Sequence, residues 1–151
     1  MNKLNHILTF NNHYIVDDIN NINKIAINWD YTIIHDFFQN NYFIDSSLDS
    51  DIINPFTRDW SNLPGGHADL LLRPSTVAQC ALILRTCYIC KIPITISAGQ
   101  TNLTGSATPN GGILLSTSKL NSPAVNVNAI KKLVTSPVGI PLELMRDEIL
   151  K

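Results

Sequence analysis

The chain has 151 residues, with 11 Lys and Arg against 12 Asp and Glu, a net charge of -1, 44% hydrophobic residues and only 15% charged ones. That length suits one domain able to bury a core without disulfides or a metal, and the near-neutral charge excludes an electrostatic footprint for nucleic acid. Low charge with ordinary hydrophobicity excludes a disordered chain, and the longest apolar stretch, Cys80 to Ile96, is broken by Arg85, Lys91 and Pro93 and does not read as a membrane span.

The N-terminal decapeptide lacks an apolar core of the kind a secretory signal needs. Cys80, Cys87 and Cys90 therefore read as free thiols in a reducing compartment. The expected location is the cytoplasm; the scarcity of arginine near the start weakens a mitochondrial reading without removing it. Residues 1–60 carry three basic and eight acidic side chains, and residues 61–151 carry eight and four. The first stretch is rich in Asn and Ile, as in Asn20-Asn21-Ile22-Asn23. Asparagine favours turns and caps over regular interiors, so the first 15 or so residues are expected to form a loosely held tail. Trp29, Ile33, Ile34, Phe37 and Phe38 recur at helical spacing and predict a short amphipathic helix within 29–43. A polar stretch from Asp45 to Asp51 follows, then a connector punctuated by Pro55, Pro64, Gly65 and Gly66. Composition leaves it either a linker or an arm laid across the domain.

The centre is more legible. Ala68 to Arg73 predicts a strand ended by Pro74. Thr76 with Gln79 fits a capping box opening a helix over about 76–91, with Val77, Cys80, Ala81, Leu84 and Tyr88 on one face. Pro93 prevents its continuation. Ile92, Ile94 and Ile96 then alternate as in a half-buried strand. A loop of small residues runs from Ser97 to Gly112 before a further strand, Ile113-Leu114-Leu115. Lys132 to Ser136 suits another strand, and Pro141 can open a last helix through Leu144, Met145 and Ile149.

The segment Ser97-Ala98-Gly99-Gln100-Thr101-Asn102-Leu103-Thr104-Gly105 carries the chemical signal. Glycines allow close approach of backbone to a ligand, successive N–H groups can surround an anion, and Ser and Thr hydroxyls can donate to phosphate. No Lys follows Gly105, which excludes a Walker A loop, and no G-x-G-x-x-G is present, which excludes a Rossmann fingerprint. Residue chemistry alone leaves two readings open: an anion-binding loop, or a loop that only turns the chain.

From Arg58 to Asn121 the sequence resembles the start of the PCMH-type FAD-binding domain of FAD-linked oxidases, the vanillyl-alcohol-oxidase fold, and most resembles the glycolate oxidase and D-lactate dehydrogenase flavoproteins. The resemblance rests on Arg58-Asp59-Trp60 in the approach arm, on Leu71-Leu72-Arg73-Pro74-Ser75-Thr76, and on Lys91-Ile92-Pro93-Ile94. It extends through the ungapped match of Ser97–Gly105 to the family's pyrophosphate loop, Pro109-Asn110-Gly111-Gly112-Ile113, and Leu120-Asn121. Three positions depart from the family pattern. Ser97 replaces an Arg, and Ala98 and Gln100 replace glycines. Ala98 requires a negative φ, and Gln100 is either strained or itself a phosphate contact. The position at which some members attach flavin through a His is Thr101.

The resemblance implies an α+β fold: an incomplete PCMH-type FAD-binding domain, a small sheet with flanking helices that stops before the rest of the flavin domain. It implies an Asn/Ile-rich tail and leading helix over 1–57 and the partial flavin domain over 58–151. It implies non-covalent FAD, held by Ser97, Ala98, Gly99, Gln100, Thr101, Asn102, Thr104 and Gly105, with no catalytic residue and no metal site in this stretch. In complete form such an enzyme would oxidise a 2-hydroxy acid by hydride transfer to flavin. This chain alone is expected to be inactive. The alternatives are a truncated remnant, or an interaction module paired with a complementary chain that supplies the missing domains. The Cys87-x-x-Cys90 pair lies near the end of its predicted helix, where thiolates are not activated, and reads as core cysteines. His67 has no partner at ligand spacing.

Overall fold

The computed structural model describes residues 16–151; the expected N-terminal tail lies outside the described residues. In chain order the elements are α1 (Val16–Ile25), α2 (Tyr31–Tyr42), β1 (Asp45–Ser47), α3 (Ser50–Ile53), a 3-10 turn (Asn54–Phe56), β2 (Leu70–Arg73) and α4 (Val77–Cys90). β3 (Ile94–Ser97), β4 (Ile113–Ser116), β5 (Asn126–Asn128), β6 (Leu133–Thr135) and α5 (Leu142–Ile149) follow. This is the small sheet with flanking helices expected of the α+β class.

Four strands form a sheet in the order β1-β2-β4-β3. β2, β4 and β3 run parallel, and β1 joins β2 antiparallel. Parallel strands covered on both faces need near-continuous apolar runs, and Leu70-Leu71-Leu72 and Ile113-Leu114-Leu115 supply them. Leu70, Leu72, Ile113 and Leu115 face a core filled by Ile22, Ile34, Phe37, Phe38, Ile44, Ile83 and their neighbours. Leu71 and Leu114 point to the opposite face, where Ile53 and Phe56 cover them. Residues on both sides of position 57 thus contribute to the same core.

Local signals account for the helix ends. Asp30 caps α2 by accepting from the Ile33 N–H at 2.7 Å, and Phe43 ends it in the left-handed region with φ 52°. The Thr76 hydroxyl accepts from the Gln79 N–H at 3.2 Å, but the Gln79 side chain accepts from the Ser75 N–H at 2.8 Å instead of from Thr76. The capping box is therefore offset by one residue. Lys91, at φ 54°, closes α4 two residues before Pro93.

The structure corrects the buried face of α4. Leu82, Ile83, Thr86, Cys87 and Cys90 are buried, whereas Val77, Leu84 and Tyr88 are 68%, 44% and 84% exposed. The helix is apolar on nearly every side, so spacing cannot choose a face. The buried face also contains a polar residue, Thr86, whose hydroxyl satisfies itself on the Leu82 carbonyl at 2.9 Å. β3 is an edge strand, and Ile96, expected to be half-buried, is 53% exposed.

Five elements appear that the sequence did not predict: α1, β1, α3, the 3-10 turn and β5. The Asn-rich segment forms α1, with Asn20, Asn21 and Asn23 exposed and Ile22 buried. The polar stretch after α2 contains β1, whose register pairs Asp45 with Arg73; the Asp45 carboxylate accepts from the Arg73 Nη2 at 3.1 Å and forms ion pairs with Arg73 and Lys119. These two cations hold the Asp45 carboxyl below its ordinary value against the opposing effect of burial. The helix α3 and the 3-10 turn that follows it fall in the stretch read as polar connector. β5 pairs with the expected strand β6 in a separate two-stranded ribbon.

Replacement of the fully buried Ile83 by Ala is expected to destabilise the fold by about 2–5 kcal/mol through lost packing. Tyr88→Ala on the exposed face should stay within about 0.5 kcal/mol of the parent. Urea denaturation of both variants checks this assignment, and equal losses would reverse it.

Candidate functional site

The three parallel strands end on one edge of the sheet. Arg73-Pro74-Ser75 leaves β2 there, residues 98–112 leave β3, and Thr117 to Asn121 leave β4. In open α/β sheets this edge, at the carboxyl ends of the strands, is where ligands bind.

The loop after β3 is held from one side by the connector, which is an arm laid across the domain and not a free linker. The Gln100 side-chain amide donates to the carbonyls of Pro55 at 3.1 Å and Arg58 at 2.6 Å. The Asn102 amide donates to Asp59 Oδ2 at 2.6 Å and to Ser106 Oγ at 3.1 Å. Backbone closes the same seam: the Trp60 N–H donates to the Asn102 carbonyl at 3.1 Å and the Ala107 N–H to Asp59 Oδ2 at 3.3 Å. Gly66 is a packing requirement of this seam, because a Cβ there would stand 2.0 Å from the Pro109 carbonyl oxygen.

Asp59 joins the arm to the loop. Its Oδ1 accepts from the Ser61 N–H at 3.0 Å and the Ser61 hydroxyl at 2.5 Å, a local turn that fixes the carboxylate before it reaches across to Asn102. These donors, the Ser61 hydroxyl foremost, bring its carboxyl down to about 2.

The loop residues occupy distinct positions. Ser97 ends β3, fully buried beside Ser116 of β4. Its Oγ has no hydrogen-bond partner, and neither does the buried Thr117 Oγ1. Ala98 and Gly99 are exposed; Ala98 lies outside the left-handed region, as its side chain requires. A Cβ on Gly99 would meet nothing within 4 Å. Gln100 adopts φ 57°, and its side chain is turned to the arm carbonyls. Thr101 and Thr104 are exposed, and the Thr104 hydroxyl donates to Ser106 at 3.3 Å. Gly105, at φ 77°, lies where a Cβ would come within 2.3 Å of Leu63 Cδ1.

Both amide hydrogens of Asn102 are taken by Asp59 and Ser106, so this side chain props the loop. None of the backbone N–H groups from Ala98 through Ser106 donates a hydrogen bond to another described residue. Sequence reading identified the loop but not this pattern of tied side chains and free N–H groups. Thr117 was also missed, and its only signal was its place at the end of β4.

Among the described residues, no group of three or more His, Cys, Asp and Glu side chains is arranged to hold a metal ion. The Cys87 thiol is pushed up to about 12, first by burial and then by Cys90 beside it. No described helix is long and apolar enough to cross a membrane.

A small parallel sheet with a crossover helix, and a loop of free N–H donors at its carboxyl edge, defines a domain suited to a phosphate-bearing cofactor. Residues 68–150 match the family described as FAD binding domain, and the chain belongs to this family, the FAD-binding domains of FAD-linked oxidases. It is 33% identical over 96 residues to mitochondrial D-2-hydroxyglutarate dehydrogenase of Danio rerio, covering 63% of this chain and 18% of that one. It is 28% identical over 93 residues to D-2-hydroxyglutarate dehydrogenase of Xanthomonas citri, covering 61% and 20%. The fold matches 6-hydroxy-D-nicotine oxidase of Arthrobacter nicotinovorans with a TM-score of 0.58 at 17% identity, over 71% of this chain and 24% of that one. The chain thus spans about a fifth of the length of these relatives. FAD is the cofactor of this family, and the loop offers what a pyrophosphate needs chemically: backbone N–H groups without a partner among the described residues, open space at Gly99, and a nearby Asp59 carboxylate occupied by its own donors.

Because the Asp59 carboxyl lies at about 2 in the folded protein against an ordinary 3.8, its contribution to stability is complete above the ordinary value. That contribution is lost as pH falls through the folded one. Asp59→Asn should therefore show a constant stability deficit from neutral pH down to about 5, closing as pH falls through about 4 to 2. Urea midpoints of parent and variant across this range check it, and a deficit unaffected by pH would contradict the assigned role.

Proposed function

We propose that the chain provides the pyrophosphate-binding part of the flavin domain of an oxidoreductase acting on a 2-hydroxy acid. The observation that carries this reading is the unbroken run of free backbone N–H groups from Ala98 to Ser106 at the carboxyl edge of the parallel sheet. Phosphate oxygens suit such donors because each N–H supplies partial positive charge without a counter-charge that must be desolvated.

In this reading the backbone N–H groups of Ala98, Gly99, Gln100, Thr101, Asn102, Thr104 and Gly105 hold the pyrophosphate. The exposed Thr101 hydroxyl adds a donor at the rim. The buried hydroxyls of Ser97 and Thr117 stand ready as further donors at the strand ends. Thr101 stands where some members of the family attach flavin through a His, so in this reading the cofactor is not attached at that position. When bound, FAD supplies the capacity to accept a hydride from a C–H bond. The 2-hydroxy acid class rests on the D-2-hydroxyglutarate dehydrogenases to which the chain is similar. Contact with that substrate falls to polypeptide beyond the matched fifth of those relatives.

A second reading is favoured by the surface: the chain works as one part of a two-chain flavoprotein. Leu84, Tyr88, Ile89 and Ile94 line an apolar groove beside the edge strand β3, and Leu133, Leu142, Leu144 and Leu150 are exposed in the β6–α5 region. Apolar patches of this kind mark surfaces that another polypeptide covers. In both readings Cys80, Cys87 and Cys90 stay free thiols, consistent with a reducing compartment such as the cytoplasm.

The purified chain mixed with FAD and passed through gel filtration should carry a flavin absorption band with it and, alone, show no turnover of 2-hydroxy acids. A protein peak without flavin would reject the cofactor reading. Copurification of a second polypeptide from the native source would favour the two-chain form.

A further inference from the structure

We infer that Gln100 is a positioning residue: its side chain clips the loop to the arm and so holds the backbone N–H groups in the arrangement that receives the pyrophosphate. The inference rests on the cofactor reading and adds to it the device that shapes the site. Between Ala98 and Thr104, Gln100 is the one residue in the left-handed region, with φ 57°. Such a residue is what allows neighbouring N–H groups to turn toward a common anion. A side chain with a Cβ adopts that backbone at a cost, which glycine avoids. Gln100 offsets the cost through two hydrogen bonds from one amide, to Pro55 O and Arg58 O. Both acceptors are backbone carbonyls across the seam, in the stretch that leads directly into Asp59. The clip therefore fixes the loop against a second segment, whereas a glycine would leave it to sample several shapes.

The usual expectation for a non-glycine at positive φ is that glycine improves matters. Here the two effects separate. In the full-length Gln100→Gly variant, relief of the backbone cost offsets the lost bonds, so the melting temperature of the free protein stays close to that of the parent. Affinity for FAD, read by quenching of flavin fluorescence, falls about tenfold, as expected for loss of a hydrogen-bonded clip, and the amides of residues 98–106 exchange with solvent faster. Gln100→Asn tolerates the same backbone but is one methylene too short to reach both carbonyls. It should show the same loss and serves as the test if the glycine variant fails to fold. Parent and variants binding FAD equally well would overturn the positioning role alone. A parent that does not bind FAD would overturn the cofactor reading, and the positioning role with it.

Discussion

The Asp59 carboxylate accepts hydrogen bonds from Ser61 in its own segment and from Asn102 and Ala107 in the loop, and the shape of the candidate site depends on this bridge. An exposed loop of small and polar residues has little apolar area with which to hold one conformation. Its order must come from hydrogen bonds to something rigid, and a charged acceptor makes the stronger ones. The arm is held at this point by two local turns, the 3-10 turn at Asn54–Phe56 and the Asp59–Ser61 bonds. The sheet supplies the other anchor through Ser97. The Gln100 and Asn102 side chains are thus spent on structure, and the backbone N–H groups of the loop stay without a partner among the described residues.

This division of roles explains why Asn102 is better placed as a prop than as a phosphate donor. It also explains why the tight glycines lie along the seam. Gly66 lets arm and loop approach at backbone distance against Pro109, and Gly105 makes room for the Leu63 side chain. The central strands contribute by being apolar on both faces, which places two layers of cover over the sheet and leaves its carboxyl edge as the accessible end.

Much of the centre was legible in the sequence because local rules and tertiary demands agree there. Leu70–Arg73 and Ile113–Leu115 are short apolar runs bounded by proline or glycine, and Thr76 and Pro93 bracket α4. The small-residue loop stands out by composition. Elsewhere the determinants are tertiary. β1 consists of polar residues whose strand conformation comes from pairing with β2 and from Asp45 meeting Arg73 and Lys119. The helix α1 overrides the turn preference of its asparagines by burying Ile22. The face of α4 could not be chosen from a helix that is apolar almost throughout. Within the site, Gln100 and Asn102 were visible as loop residues, but the direction of their amides depends on carbonyls and a carboxylate more than forty positions away in sequence.

The central claim is that the backbone N–H groups of residues 98–106 are the phosphate-binding surface. The most direct measurement is an amide-resolved NMR titration of the full chain with FAD. The account predicts that the amide resonances of Ala98 to Ser106 move together and saturate with one affinity, with smaller changes near Asp59. Binding that leaves these amides unmoved while others shift would contradict it.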